Sequence, residues 1–493
     1  MFQKTRLKMF FRTLVVGIAF SMCAFSCGGG GSSSGGGGGV VITDPSVTTT
    51  KNWTIIVYLD GDNNLEQAAL TDLNEMEAVN LTGSSINVIT LFDRAPAYYT
   101  SSPDWTGTRI YEVAYDSAGS ANEAIVSKRL GSTSLGIPEA SDVELNMGDP
   151  QTLSKYIDYC KTYFPATNYA LILWNHGGGW KNKNIINNIK SGLKTLSSIS
   201  EVSILKENKS SLAKAVCWDD TNGDDTLYMS EVKSAVAGKG LSIIGFDACL
   251  MGMIEVAYEL KDNASYMIAS EETIPGDGWN YEAWLTSFKD SVGKTADDMC
   301  NAIVDSYGLY YITYSGTTLS ALDLSKVSDV YSALNTFSES LYNAISTDTI
   351  RDNVFNTIWN DVEYYCAGYS SDYNIDLWHL ADRIQNTYTY TNSTLHCTAL
   401  KTAIEGCIVK EWHNTSGTID TGNPNSHGLA IHFTYINSSG YGGNMWYDYC
   451  NGYSSTYPVD FVQDANNNWV AHYSGSSIVG PGLLYRLWRE TLP

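Results

Sequence analysis

Alternating blocks of apolar and polar residues dominate the first half of the chain. Residues 53–59 (WTIIVYL) and 86–92 (INVITLF) are apolar runs of strand length, and the amphipathic stretch 65–79 between them predicts a helix. A second helix is predicted over 149–164, where an Asp-Pro pair opens the segment, and an apolar run begins at residue 168. Strands that alternate with helices in this way predict a parallel sheet with helices on both faces.

The alternation continues to residue 270 and becomes weaker after that. Further strands are predicted at 215–218, at 265–270 and from 241 up to Cys249, with helices at 230–237 and 250–260. A hairpin at 105–115 is expected to extend the sheet. The second half predicts strands at 318–324 and 428–435 and helices at 326–346, 376–385 and 398–407.

Two of the predicted strands end at residues that carry chemistry. One stops at His176, which Gly177 and Gly178 follow, and the other stops at Cys249. Ligands bind at the carboxyl ends of strands in open α/β sheets, and a thiol and an imidazole at that edge can form the nucleophile of a cysteine peptidase. The glycines let backbone N–H groups approach an oxyanion. An exposed His in a glycine-rich turn and an inert core Cys remain the simpler alternatives.

Four ordered sequence blocks resemble the clostripain family of cysteine peptidases, which belongs to the caspase-like clan. The blocks are TIIVYLDGDNNLE, LILWNHGGGW, FDACLMGMIEVAYEL and IASEETIPGDGW, within 53–290, and GLAIHFTY is a weaker match. The resemblance implies a caspase-like α/β/α sandwich with a mostly parallel central sheet and C-terminal additions. It also implies a dyad of His176 as acid–base and Cys249 as nucleophile. The backbone N–H groups of Cys249 and of Gly177 or Gly178 would then hold the oxyanion.

The same resemblance implies cleavage after Arg or Lys in polypeptide substrates, and therefore an acidic pocket. Asp247, just before the nucleophile, and Asp277, in the sequence Pro-Gly-Asp-Gly-Trp, are the matching candidates. A carboxylate at the base of a pocket pairs with a guanidinium through charge-assisted hydrogen bonds. For Asp277 a plain Gly-Asp-Gly turn is the alternative.

The segment 181–214 interrupts the alternating pattern with many Lys, Asn and Ser residues. Because members of the family are often made as zymogens that are cut between the catalytic His and Cys, the segment is interpreted as an activation loop that the enzyme itself cleaves. Lys190 best matches the family's cleavage position. A solvated insertion that is never cut is the alternative.

An acidic segment after residue 218 resembles the loop of an EF-hand. Its candidate ligands are Asp220, Asn222, Asp224 and Glu231. The match is weakened because the sixth position is Asp225, where the sharp turn needs Gly. A polar turn that caps the next helix is the alternative. No cofactor is expected to be required, and calcium, on which family members depend, is retained as a hypothesis for this segment.

The N-terminus predicts export from the cytoplasm. A basic segment and a short apolar segment form a lipoprotein-type signal peptide over 1–27, and the sequence before Cys27 loosely matches a lipidation motif. A Gly/Ser-rich tether over 28–50 follows. We therefore expect an extracytoplasmic protein, anchored to a bacterial membrane (the outer membrane or cell surface) by its N-terminal lipid only, or else secreted.

The net charge disfavours nucleic acid as a binding partner. With a net charge of −23 over 493 residues, the chain is not expected to bind nucleic acid. The expected organisation is a catalytic core over 51–290 and a C-terminal part over 291–493 that completes the sheet and adds an accessory region. A catalytically inactive, lipid-anchored surface binding protein on the same fold is the alternative to a peptidase.

Overall fold

A nine-stranded sheet forms the centre of the protein. The computed structural model describes residues 42–96, 98–101, 104–121, 123–180, 216–365, 374–416 and 422–433, with a few positions between 472 and 487. The strands are β1 (Lys51–Gly61), β2 (Ile86–Arg94), β3 (Arg109–Glu112), β4 (Lys128–Leu130), β5 (Ala166–Trp174), β6 (Val216–Asp219), β7 (Asp225–Leu227), β8 (Leu241–Asp247), β9 (Ala264–Ala269), β10 (Thr318–Asp323), β11 (Tyr364–Tyr365), β12 (Asn374–Asp376), β13 (Ile408–His413), β14 (Ala430–His432), β15 (His472–Ser474) and β16 (Ser477–Gly480).

Helices connect the strands of this sheet and cover both of its faces. They are α1 (Glu66–Glu77), α2 (Pro150–Tyr163), α3 (Met229–Val236), α4 (Ile254–Leu260), α5 (Tyr281–Asp290), α6 (Ala296–Tyr310), α7 (Val327–Ala344), α8 (Asp348–Asp361), α9 (Leu377–Thr387) and α10 (Ser393–Cys407). The predicted Asp-Pro start of α2 is confirmed, because the Asp149 side chain accepts a hydrogen bond from the backbone N–H of Gln151 and Pro150 occupies the first turn.

The strand order of the large sheet is β13-β10-β9-β8-β5-β1-β2-β3-β4. The five central strands, β9, β8, β5, β1 and β2, are parallel. Antiparallel strands extend both edges, with β3 and β4 beyond β2 and β10 and β13 beyond β9. The central strands are therefore buried on both faces, which explains their continuous apolar sequences.

Alternate residues of the central strands enter two separate apolar cores. Ile56 and Tyr58 of β1 belong to the core that also contains residues of α2, α3, α4 and α7. Ile55 and Val57 face the opposite side and pack in the core that contains residues of α1, α5 and α6. Because successive side chains of a strand point to opposite faces, one apolar run supplies both layers of the sandwich.

The part of the chain beyond residue 290 also contributes to the sheet. Its strands β10 and β13 pair antiparallel with the edge at β9, and β11, β12 and β14 form a small separate sheet. The sequence pattern missed α5, α6, α8 and β13, although they complete the helical layers and one edge of the sheet.

The described residues include no helix that combines the length and the apolar character needed to cross a bilayer. Six cysteines lie in the described segments, and all six are free thiols: Cys160, Cys217, Cys249, Cys300, Cys397 and Cys407. Only Cys249 among these six is partly exposed, and the other five are buried.

Candidate active site

His176 and Cys249 occupy equivalent positions on two neighbouring strands. In the parallel pairing of β5 with β8, Trp174 lies opposite Asp247, and each reactive residue follows its strand end by two positions. Since β1 pairs with β2 on one side and with β5 on the other, the strand order reverses next to β5. The carboxyl edge at such a reversal is where open α/β sheets bind ligands.

The backbone at Gly177 touches the backbone at Cys249. A methyl group on Gly177 would overlap the carbonyl oxygen of Cys249 and lie 2.9 Å from its nitrogen and 3.0 Å from Cβ of Ala248. The N–H of Gly177 also donates a hydrogen bond toward the Cys249 thiol, and Gly178 follows as a buried residue. Glycine is required at position 177 because any side chain would separate the loop after β5 from the loop after β8, which we call the two strand-end loops.

The Cys249 thiol lies between the Gly177 loop and the segment that follows β9. The backbone N–H of Ile274 is 3.3 Å from Sγ, and the carbonyl oxygen of Ile274 is 3.7 Å from it. Burial raises the pKa of the Cys249 thiol to about 11, although the hydrogen bonds from Ile274 and Gly177 act in the opposite direction. The thiol is therefore protonated at neutral pH until a base removes the proton.

The helix after the nucleophile starts later than the sequence predicts. It begins at Ile254 rather than at Leu250, which has a positive φ of 62°. The N–H of Leu250 bonds to the Glu272 carbonyl and the N–H of Gly252 bonds to the Ser270 carbonyl. These bonds attach the segment to the end of β9, and thus the positive end of a helix dipole is not adjacent to Cys249.

Asn64 and Trp218 position the His176 ring. Nε2 of His176 lies 2.9 Å from Oδ1 of Asn64, and the ring centroid lies 4.7 Å from that of Trp218 with an interplanar angle of 34°. Because an amide oxygen only accepts hydrogen bonds, this contact requires the proton on Nε2 and leaves the basic lone pair of the neutral ring on Nδ1.

A set of amide hydrogen bonds fixes Trp218 against the end of β1. The Asn175 amide donates to the Trp218 carbonyl at 3.1 Å and to Oδ2 of Asp60 at 2.6 Å, and the Asn63 amide donates to the same carbonyl at 2.9 Å. The sequence pattern did not reveal that residues 60–64 support the ring of His176, because their partners Trp218 and His176 lie more than 100 residues further along the chain.

Four carboxylates, which we call the acidic pocket, interact with one another around Asp247, two residues before the nucleophile: Asp72, Glu75, Asp247 and Asp277. Asp247 is buried, and its Oδ2 accepts hydrogen bonds from the Trp279 N–H at 3.0 Å and the Tyr281 hydroxyl at 3.1 Å. The loop that reaches Trp279 begins at Ile274, the residue that contacts the Cys249 sulfur. The loop therefore joins the nucleophile to the acidic pocket.

Burial dominates the electrostatics of the acidic pocket. It raises the pKa values of Asp247 and Glu75 to about 7 each and raises that of Asp72 well above its usual range. The carboxylates also repel one another, and the exposed Asp277 contributes to this repulsion at Asp72 and Glu75. Oδ1 of Asp72 is buried without a hydrogen-bond partner among the described residues. A cation in the pocket would relieve both effects.

The proposed calcium ligands of the sequence analysis lie around the turn between β6 and β7. Asp220 accepts a hydrogen bond from the Tyr98 hydroxyl, and the Asn222 amide donates to Glu144. Glu231 bonds to the N–H of Tyr228 at the start of α3, whereas Asp224 is exposed on the turn. The other two predicted sites, Lys190 and Cys27, lie outside the described residues.

Residues 57–193 and 203–472 of the chain match the model of the clostripain family. The chain belongs to the clostripain family. Clostripain from Hathewaya histolytica is 32% identical over 260 residues, which are 50% of this chain and 44% of that relative. The aligned part therefore spans less than half the length of this clostripain.

Solved structures of similar fold come from the same class of protease. An inactive zymogen C11 protease from Parabacteroides distasonis superposes with a TM-score of 0.56 at 18% identity, covering 82% of this chain and 97% of its own. A secreted C11 cysteine protease from Bacteroides thetaiotaomicron, in complex with an irreversible peptide inhibitor, gives 0.54 at 18% identity and covers 81% and 96%. The expected caspase-like α/β/α fold is confirmed.

Replacing Gly177 with Ala is predicted to disturb the contact between the two strand-end loops. The added methyl group overlaps the Cys249 backbone, so we expect a loss of about 1–3 kcal/mol in the free energy of unfolding. Urea denaturation measures this loss. Gly276→Ala is the matched control, because a methyl group on Gly276 meets no atom within 4 Å. Equal stability of the two variants would contradict the close packing.

The alkylation rate of Cys249 is predicted to keep rising with pH well above neutrality. Because burial raises the thiol pKa to about 11, the reactive thiolate fraction grows about tenfold per pH unit below that value. Iodoacetamide labelling of the Cys249 peptide, followed by mass spectrometry over a pH series, measures the rate. The buried Cys160 reports any general unfolding. A rate that reaches its plateau near neutral pH would show that Cys249 is already a thiolate.

Proposed function

We propose that this protein is a cysteine endopeptidase that cleaves polypeptides after Arg or Lys, with Cys249 as nucleophile and His176 as its acid–base partner. The observation that carries the proposal is the contact between the two strand-end loops. Asp247 and Trp174 are paired, and Gly177 touches the Cys249 backbone. Each reactive residue lies two positions along the chain after its member of this pair. Membership of the clostripain family supports the same chemistry.

The reaction proceeds in two stages. His176 accepts the proton of the Cys249 thiol, and the thiolate attacks the carbonyl carbon of the scissile peptide bond, forming a C–S bond. The imidazolium of His176 then protonates the departing amine as the C–N bond breaks. Water, deprotonated by His176, attacks the resulting thioester and releases the acid, and the proton returns to the thiol.

Asn64 and Trp218 act on this reaction through His176 and are positioning residues. The hydrogen bond from Nε2 to Asn64 favours the tautomer whose Nδ1 accepts the proton. Contact with the tilted Trp218 ring limits rotation of the imidazole. A fixed ring supports catalysis because it is oriented before the substrate arrives.

The oxyanion of the tetrahedral intermediate is assigned to backbone donors. The N–H of Gly177 already points toward the thiol, and those of Gly178 and Cys249 lie in the same two loops. Backbone donors suit this role because they are held in place before charge develops on the carbonyl oxygen.

The acidic pocket is assigned to the Arg or Lys side chain of the substrate. Asp247 precedes the nucleophile by two residues, and Asp277 lies on the loop that connects Ile274 at the thiol with Trp279 at Asp247. The buried Asp72, which the sequence analysis missed, adds a further carboxylate. A cationic side chain in this pocket would lower the raised pKa values by direct attraction.

The proposal extends to activation and location. Cleavage after Lys190 in the segment between His176 and Cys249 would be the activating step, carried out by the enzyme itself. The lipoprotein-type signal and Cys27 support an extracytoplasmic, lipid-anchored protein. The secreted relative from Bacteroides thetaiotaomicron is consistent with an extracytoplasmic location.

Fluorogenic peptides that end in Arg or Lys test the activity directly. We expect the wild-type protein to hydrolyse them and expect Cys249→Ala and His176→Ala to reduce kcat/KM by about 10⁴-fold or more. Cys160→Ala, which removes a buried thiol from α2, is the control for loss of a cysteine alone and should retain activity.

Mass spectrometry of the same proteins tests the activating step. Cleavage at Lys190 should occur in the wild type and be absent from purified Cys249→Ala and from Lys190→Ala. Cleavage that persists in pure Cys249→Ala would contradict self-processing. Absence of peptide turnover in both cut and uncut wild-type protein would instead favour the inactive binding protein.

Asp277→Asn is predicted to reduce kcat/KM for Arg and Lys substrates by about 10–100-fold, because one charge-assisted hydrogen bond is lost. Asp277 is exposed, so the fold should not change. Asp290→Asn on α5 removes an equally negative exposed side chain away from the pocket and should have no effect. The measurement is a panel of peptides that differ only at the cleaved residue.

Asp247→Asn is a second variant for the same pocket and keeps the size of the side chain. Undiminished preference for Arg and Lys in both Asp277→Asn and Asp247→Asn would contradict the assigned pocket. That result would leave the peptidase chemistry of Cys249 intact.

A further inference from the structure

Two buried carboxyl groups meet near the segment that follows the nucleophile. Glu271 lies two residues after β9, and Asp376 ends β12 and caps α9. Glu271 is only 1% exposed, and Asp376 is fully buried. We call these two side chains the acid pair.

Two consecutive backbone N–H groups hold the carboxyl groups side by side. The His427 N–H donates to Oδ2 of Asp376 at 2.6 Å, and the N–H of the next residue, Gly428, donates to Oε2 of Glu271 at 3.0 Å. Oε1 of Glu271 receives no hydrogen bond from an N–H or O–H donor among the described residues, and the side chain to which Glu271 bonds is Asp376. A hydrogen bond between two carboxyl groups requires a proton on one of them.

The hydrogen bonds around the acid pair assign this proton to Glu271. Both oxygens of Asp376 already accept backbone hydrogen bonds, because the His379 N–H donates to Oδ1 at 2.6 Å. Nδ1 of His427 lies 3.5 Å from the same Oδ1. Asp376 is therefore surrounded by donors, as an ionised carboxylate requires, whereas Oε1 of Glu271 can donate a proton to it.

The titratable and charged groups around the acid pair come from several elements. They are Glu411 of β13, Glu363 and Tyr365 at β11, His379, Asp382 and Arg383 of α9, and His427 before β14. Arg383 pairs with Asp361 at 3.9 Å. Nδ1 of His379 accepts the N–H of Glu363, which keeps that ring neutral. His427, when protonated, places a positive charge beside Asp376.

The acid pair and His427 bind protons more tightly in the folded chain than in the unfolded chain. Burial raises the pKa of Glu271 well above its usual range, and repulsion from Asp376 acts in the same direction. Burial disfavours a charged His427, but its contact with Asp376 outweighs this effect and raises the pKa of the ring. The stability from each group is fully present below its unfolded-state pKa, about 4.3 for Glu and 6.5 for His, and is lost as the pH rises through the folded-state value.

One side of the acid pair contacts the segment that follows Cys249. The Gly252 N–H donates at 2.7 Å to the carbonyl of Ser270, the residue before Glu271. A methyl group on Gly252 would lie 2.8 Å from the nitrogen of Glu271. The Ala430 N–H donates to the Gly252 carbonyl at 2.8 Å, so this segment is held between Glu271 and β14.

The other side of the acid pair belongs to the part of the chain beyond residue 290. The Leu377 N–H, next to Asp376, donates to the Leu429 carbonyl at 2.9 Å, and β12 pairs antiparallel with β14. The proton between Glu271 and Asp376 therefore joins this C-terminal part to the end of β9. Without the proton, two negative charges would meet in a buried site.

We propose that Glu271 and Asp376 share one proton, and that this proton is a pH-dependent lock between the C-terminal part of the fold and the segment after the nucleophile. Loss of the proton as the pH rises replaces a hydrogen bond with charge repulsion, which loosens β12 and β14 from residues 250–253. The lock acts on the fold and does not depend on whether the protein cleaves peptides.

Urea denaturation of full-length Cys249→Ala from about pH 5 to pH 9 tests the lock without self-cleavage. Glu271→Gln in this background replaces the protonated carboxyl with an amide that accepts from Gly428 and donates to Asp376 at every pH. The unfolding constant of the parent should therefore rise, relative to that of Glu271→Gln, by up to about tenfold per pH unit. Hydrogen exchange at residues 427–430 should show a matching loss of protection in the parent and not in Glu271→Gln.

Two further variants in the same background complete the test. Asp376→Asn removes an acceptor of a backbone N–H and should lower stability at every pH, whereas Glu339→Gln, exposed on α7, is the matched control and should follow the parent. Parallel pH curves for the parent and Glu271→Gln would overturn the proposal, as would equal stability of Asp376→Asn and the parent. Failure of Glu271→Gln to fold would also overturn it, because Gln supplies the same donor and acceptor as a protonated Glu.

Discussion

The parallel pairing of β5 with β8 is the constraint on which the site depends. It aligns Trp174 with Asp247, so that His176 and Cys249 emerge at the same edge of the sheet. A shift of one residue would move each side chain of β8 to the opposite face of the sheet, and therefore into the other apolar core. It would also separate the two loops. Gly177 completes the arrangement, because only a residue without a side chain permits the contact with the Cys249 backbone.

Concentrated negative charge is the second organising feature of the molecule. The acidic pocket includes Asp247, two residues before the nucleophile, and a second group of carboxylates (Asp62, Asp93, Glu144 and Asp219) lies near the turn that supports His176. Burial raises the pKa values in both groups, which means that the folded chain tolerates these charges poorly on its own. A cation beside the first group would relieve the repulsion between its carboxylates. Ligand binding and local order are therefore expected to be linked.

Features that depend on local composition were predicted from the sequence, whereas features that depend on contacts between distant segments were missed. The strands at 53–59 and 86–92 were predicted because a continuous apolar run depends only on local composition. The helix after Cys249 was predicted too early, since bonds to Ser270 and Glu272 hold residues 250–252 out of the helix. Asn64 and Asp72 were missed as members of the site, because their partners lie more than 100 residues away along the chain.

The sequence by itself determined the alternating strands and helices, the two strand ends that carry His176 and Cys249, and the resemblance to the clostripain family. These properties depend on neighbouring residues or on the order of residues along the chain, and they do not depend on distances between side chains in space. The tertiary structure alone decided which ring nitrogen of His176 faces Asn64, which carboxylates share a pocket, and that Asp93 and Glu144 join the group at Asp219. Such pairings depend on how the sheet and its loops pack, because charge interactions act through space rather than along the chain.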